Sequence, residues 1–123
     1  MMQQLGLVAL GGAIGAALRY GVSIYLSSDG FPWATLSVNM IGSLLLGITA
    51  VALTQGLISQ DVALILGTGV LGAFTTMSAF SVETLNLFQN QQISSAIIYV
   101  AITMVICPIL AFLGWKLGET FIA

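Results

Sequence analysis

The stretch "GTGVLGAFTTMSAFSVET", residues 67–84, crowds glycines, hydroxyls and a carboxylate into an apolar run long enough to cross a membrane. Its meaning depends on the solvent that the rest of the chain selects. Of 123 residues, 59% are hydrophobic and 5% charged, and the mean hydropathy is +1.11. That is too little polar surface to cover a soluble domain of this length, so the chain is expected in a bilayer.

Outward from that stretch, four apolar spans are read at residues 4–26, 33–55, 63–88 and 93–118. At about 1.5 Å of rise per helical residue, each is long enough to cross a hydrocarbon core of about 30 Å. The separators "SSDGFP" at 27–32, "TQGLISQD" at 54–61 and "QNQQ" at 89–92 carry turn chemistry and leave no room for a second domain. Residues 1–123 are therefore read as one all-α domain of four transmembrane helices. The opening "MMQQLG" lacks the basic region of a signal peptide, so the first span is expected to be retained. An even number of crossings puts both termini on one side.

Several function classes are excluded or weakened by composition. There is no histidine and one cysteine, Cys107, so no metal cluster, disulfide framework or histidine-based triad can be assembled from one chain. No coherent acid–base pair or nucleophile is found either, and the chain is read as a non-enzyme. Two basic and four acidic residues are too sparse for a nucleic-acid surface. Orientation is equally unbiased, because Arg19 lies within the first span, Lys116 closes the fourth, and the loops hold no basic residue. Dual topology follows as an expectation, with an antiparallel homodimer as its two-fold product. Small residues at Gly11, Gly12 and Gly15, at Gly42, Ser43 and Gly47, and at Gly67, Gly69 and Gly72 allow close helix approach.

In the third span, Thr75, Thr76, Ser78, Ser81 and Glu83 fall at membrane depth. In a continuous helix such hydroxyls bond back to their own backbone at little cost. The run "FTTMS" at 74–78, with β-branched neighbours and flanking glycines, suits an interrupted helix better. An interruption near the centre frees peptide groups, which lipid tolerates only where they are buried, wet or bound to an ion. The third span is therefore read as broken and as carrying an ion-handling site. Asn39 either bonds between helices or lines a pore. Arg19 either snorkels to the interface or meets the ion, and Glu83 either neutralises Arg19 or faces a vestibule.

The segments "GGAIGAALRY" at 11–20, "NMIG" at 39–42 and "GAFTTMSAFSVE" at 72–83 resemble the signature segments of the Fluc (CrcB) family of small fluoride channels. The resemblance covers the first three spans in order and is weak in the fourth. It implies an antiparallel, dual-topology homodimer in the prokaryotic inner membrane, with two pores that export cytoplasmic fluoride passively. It also implies a structural sodium ion at the dimer interface, held by the backbone carbonyls of Gly72 and Thr75. In similar proteins two phenylalanines three residues apart flank each pore. Phe80 matches the second, and Met77 stands where the first is typical. The Asn39 amide and the hydroxyls of Thr76, Ser78 and Ser81 are the expected fluoride donors, with Arg19 and Glu83 as vestibule or structural charges. Phe80 offers its positive ring edge. In the fourth span "VICPIL" puts Cys107 and Pro108 about where similar channels carry a small polar residue. Pro108 is expected to kink its helix and free a carbonyl, and Cys107 is assigned no fluoride contact.

Two rivals compete for the same residues. A small multidrug-resistance-type exporter needs a carboxylate in its first helix, where this chain carries Arg19 and no acid. A non-transporting assembly subunit needs only glycine-lined helices and leaves Asn39, Arg19 and the polar third span unexplained.

Overall fold

The structure is a computed structural model that describes residues 1–26 and 30–122. The first part of the separator read at 27–32, residues 27–29, lies outside the described residues. The chain runs through α1 (Met2–Tyr25) and α2 (Trp33–Thr54) into a third span of several pieces. That span consists of α3 (Gln60–Ala63), a π-helical stretch (Leu64–Leu71), α4 (Gly72–Phe74) and α5 (Met77–Gln89), and α6 (Ile93–Phe121) follows it. Among the described residues, four helical spans are long and apolar enough to cross a membrane, the third counted from Gln60 to Gln89. Their outward faces carry exposed Leu18, Ile98, Val105 and Phe112, a surface suited to acyl chains and not to water.

Local chemistry explains where the helices stop. Pro32, with its fixed φ and missing N–H, immediately precedes α2. At the other end Gly56 adopts φ +74°, and the Leu57 N–H returns to the Ala52 carbonyl at 2.8 Å, which closes a Schellman turn. The same turn ends α5 on a non-glycine residue: Gln91 has φ +60°, and the Gln92 N–H reaches the Leu87 carbonyl at 2.8 Å. Ser59 starts the third span, its hydroxyl accepting the Val62 N–H at 3.1 Å, a few residues before the boundary read from hydropathy.

Two tight helix pairs organise the packing. α2 lies along α6, with Gly47 against the Ala111 carbonyl and Gly114 against the Leu44 carbonyl, so each helix offers a glycine where the other offers backbone. α1 lies along the π-helical stretch, with Gly11 against the Ile65 carbonyl and Gly15 against the Val70 carbonyl. The π-helix at 64–71 is not foreshadowed by the residues there. Their apolar run has no polar face from which a change of period can be read. Near one end of the bundle α2, α5 and α6 converge on Tyr99, which is fully buried. Its ring meets Phe80 at 5.0 Å and Phe31 edge-on at 5.5 Å.

Without a hydrophobic force between helices in lipid, this close backbone contact carries the pairing. Gly47→Ala and Gly114→Ala each drive a methyl onto a facing carbonyl. Each is expected to cost about 1–3 kcal/mol in thermal or denaturant unfolding in detergent. Gly6→Ala, whose methyl meets open space among the described residues, is expected to be neutral or stabilising by up to about 1 kcal/mol.

Candidate ion-handling site

Between α4 and α5 two residues leave helical geometry. Thr75 has φ −82° and ψ 155°, and Thr76 has φ −152° and ψ 121°, so the third span bends here through extended backbone. The local sequence supplies what each side of the bend needs. Thr75 closes α4, its N–H and its hydroxyl both reaching the Leu71 carbonyl, at 3.1 and 3.0 Å. Thr76 opens α5 as its N-cap, accepting the Ala79 N–H on Oγ1 at 3.1 Å.

Neighbouring helices take up the peptide groups that the bend frees. The Asn39 side chain clamps Thr76 from α2, accepting its N–H on Oδ1 at 2.7 Å and donating Nδ2 to its carbonyl at 3.1 Å. Arg19 donates Nε to the Ala73 carbonyl at 3.0 Å from α1. Gly42, one turn beyond Asn39, leaves the space that the Thr75 methyl fills. The carbonyls of residues 72–75 lose their helical partners at the bend, and Arg19 meets the one at Ala73. The Thr76 N–H, which in an unbroken helix returns to Gly72, goes to Asn39. The Ala79 N–H, which would return to Thr75, goes to the Thr76 hydroxyl.

Beside the bend lies a hollow of about 290 Å³. Asn39, Thr75 and Thr76 form one wall, Met77 and Phe80 a second, and Thr103, Cys107 and Pro108 of α6 a third. Among the described residues, none that line it is charged. Asn39 uses one of its two amide hydrogens on Thr76 and keeps the other. Thr103 is 7% exposed, and its hydroxyl is the one buried side-chain polar atom without a hydrogen-bond partner among the described residues. Sequence reading missed Thr103. Its only signal was a lone hydroxyl within "AITMVI" at 101–106, where back-bonding to the helix is the ordinary expectation.

The other residues singled out from the sequence divide around this hollow. Phe80 is buried with its ring on Tyr99, whereas Met77 is 62% exposed on the outer surface of the chain. Ser78 pairs with the Thr76 hydroxyl at 3.1 Å, and Ser81 bonds back to the Met77 carbonyl at 2.9 Å. Arg19 and Gly72 lie on the α1 side of the bend. Glu83 does not neutralise Arg19. It accepts the Tyr99 hydroxyl at 3.1 Å and, with Asn86 and Asn90, lines a separate polar hollow further along α5. Arg19 is held at Ala73, about three helical turns earlier. Among the described residues the one ion pair is Lys116–Glu119, at 3.4 Å near the end of α6. α6 runs unbroken through Pro108, whose missing N–H leaves the Met104 carbonyl without its usual partner.

Comparison with known proteins agrees with the resemblance first seen in three segments. The family model described as "CrcB-like protein, Camphor Resistance (CrcB)" matches residues 6–115. A protein of Thermus thermophilus named "Fluoride-specific ion channel FluC" is 44% identical over 119 residues, 94% of each chain. Proteins of the same name from Magnetococcus marinus and Agrobacterium fabrum are 43% and 39% identical. They cover 94% and 96% of this chain and 98% of their own lengths. With the match running through α1, the clamp on α2, the bend and most of α6, this integral, multi-pass membrane chain belongs to the CrcB-like family.

Proposed function

We propose that the chain is a fluoride-selective channel, passing the ion by electrodiffusion out of the cytoplasm and so lowering its toxicity. The observation that carries this reading is the hollow, lined among the described residues by no acidic side chain, with Asn39, which keeps a spare amide hydrogen, and Thr103, whose hydroxyl is buried without a partner, in its wall. It stands in a chain whose relatives are named fluoride-specific ion channels.

The physical difficulty is fluoride's hydration shell, which the protein must replace without trapping the ion. Asn39 and Thr103 donate hydrogen bonds. Thr76 and Met77 bring the N-terminus of the 13-residue α5 to the hollow, so its positive dipole end favours an anion there. Phe80 turns a ring edge towards the passing ion, and Met77 puts a polarizable thioether where the first ring edge is typical. Ser78 reaches the path through Thr76. Ser81 and Glu83 lie further along α5, towards an entrance. Arg19 adds positive field on the α1 side while holding the bend open.

The partner in this reading is a second, inverted copy, forming an antiparallel homodimer of dual topology in the inner membrane. The exposed Met77 and the apolar outer faces would meet that copy or lipid. The bend suits a sodium ion as well. Gly72 and Thr75 release their carbonyls at the negative end of the first half of the span, and oxygen donors suit a hard monovalent cation. Sodium would fix the two copies together there and takes no part in moving fluoride.

Liposomes holding the purified protein are expected to release fluoride, but not chloride, with no proton gradient imposed. Equal chloride release contradicts selectivity, movement only under a proton gradient favours an exporter, and no release favours an assembly subunit. Asn39→Asp places a negative charge where the anion passes. At about 4 Å and an effective dielectric of about 20, that costs on the order of 4 kcal/mol. Fluoride flux is then expected to fall by about a thousandfold. Phe80→Ile, which removes the ring edge, should also suppress flux, with gel-filtration elution unchanged. Thr103→Val removes the unpartnered hydroxyl at nearly constant shape. Stability should be unchanged or higher while fluoride flux falls by about tenfold, a split that a merely structural threonine would not produce.

A further inference from the structure

Fluoride is a hard anion, yet three of the side chains around its proposed route end in sulfur. Met77 opens α5, while Met104 and Cys107 stand three apart on α6, so the latter two project from one face with Cβ atoms about 5–6 Å apart. All three line the same 290 Å³ hollow. Cys107 is a free, partly buried thiol.

We propose that this hollow is also a binding site for a soft monovalent cation, Cu(I) or Ag(I). The Cys107 thiolate and the Met104 thioether hold the ion, Met77 supplies a third sulfur, and occupancy closes the anion route. Thiolate and thioether donors select soft d10 ions over the hard cations that oxygen-lined sites prefer. Charge favours a monovalent ion. The thiol proton leaves to water as the sulfur–metal bond forms, and the resulting thiolate–M(I) pair is neutral, whereas a divalent ion would leave an uncompensated positive charge at low dielectric. No oxidation state changes. The closure of the route rests on the fluoride-channel reading; the site itself does not.

The test is a titration of the purified protein in detergent with silver nitrate, in chloride-free buffer. Heat is read by calorimetry, and retained silver by elemental analysis after desalting. One silver per chain is expected. Met104→Leu and Met77→Leu should each weaken binding by about tenfold or more, and Cys107→Ser should abolish it. A wild-type protein that retains no silver overturns the site. So does undiminished affinity in both methionine variants, which is the behaviour of an isolated thiol. The same silver concentrations are then added to fluoride-loaded liposomes, with each variant normalised to its own silver-free rate. Wild-type efflux should stop at saturation, and Cys107→Ser should resist. Continued efflux from silver-saturated wild type overturns the closure. If fluoride is not released even without silver, the channel reading and the closure fall together, while the titration still decides the site.

Discussion

Everything in this molecule turns on the cost of a bare peptide group in lipid. Water cannot reach the hydrocarbon region, so every N–H and C=O there needs a partner from the protein or from an ion. Thr75 and Thr76 violate the simplest solution, a continuous helix. The fold tolerates them because Asn39 supplies a donor and an acceptor to one residue, and Arg19 a donor to another. The glycine-paired helices make this possible, since close backbone approach brings α1 and α2 within side-chain reach of the bend.

The same arrangement divides one helix into two ends of opposite character. Carbonyls released at Gly72 and Thr75 are negative and oxygen-rich, and the start of α5 is positive. In the proposed channel such a bent span would serve a cation on one side and an anion on the other, with no formal charge among the described residues that line the hollow. The absence of acid among the described lining residues fits the second role, and the Arg19 contact keeps the first half in position. Catalytic chemistry has no place among these dipoles and donors, in keeping with relatives named as ion channels.

The four spans were legible because length and hydropathy alone decide them. The bend was legible in part, because consecutive β-branched threonines beside glycines weaken a helix, and the second threonine is a good N-cap. Asn39 bonds between helices, one of its two readings, and it also borders the hollow. Other features needed three dimensions. The π-helical stretch lies in a run apolar on every side, so no periodicity could report it. Glu83 pairs with Tyr99, sixteen residues away across a turn, and no spacing rule singles out that partner over Arg19. Thr103 looked like any hydroxyl in a transmembrane helix until its burial and missing partner were seen. The sulfur-lined wall joins Met77 to Met104 and Cys107 from helices that only the fold makes neighbours.

The central claim is that an anion occupies the hollow beside the clamped bend, within reach of the Asn39 amide. Dipolar dephasing by fluoride of the nitrogen-15 signal of the Asn39 side chain, recorded by solid-state magnetic resonance on the protein in lipid, tests it most directly. Loss of intensity at that amide with fluoride present, recovered when fluoride is washed out, is the result this account predicts. Full intensity at saturating fluoride would contradict it.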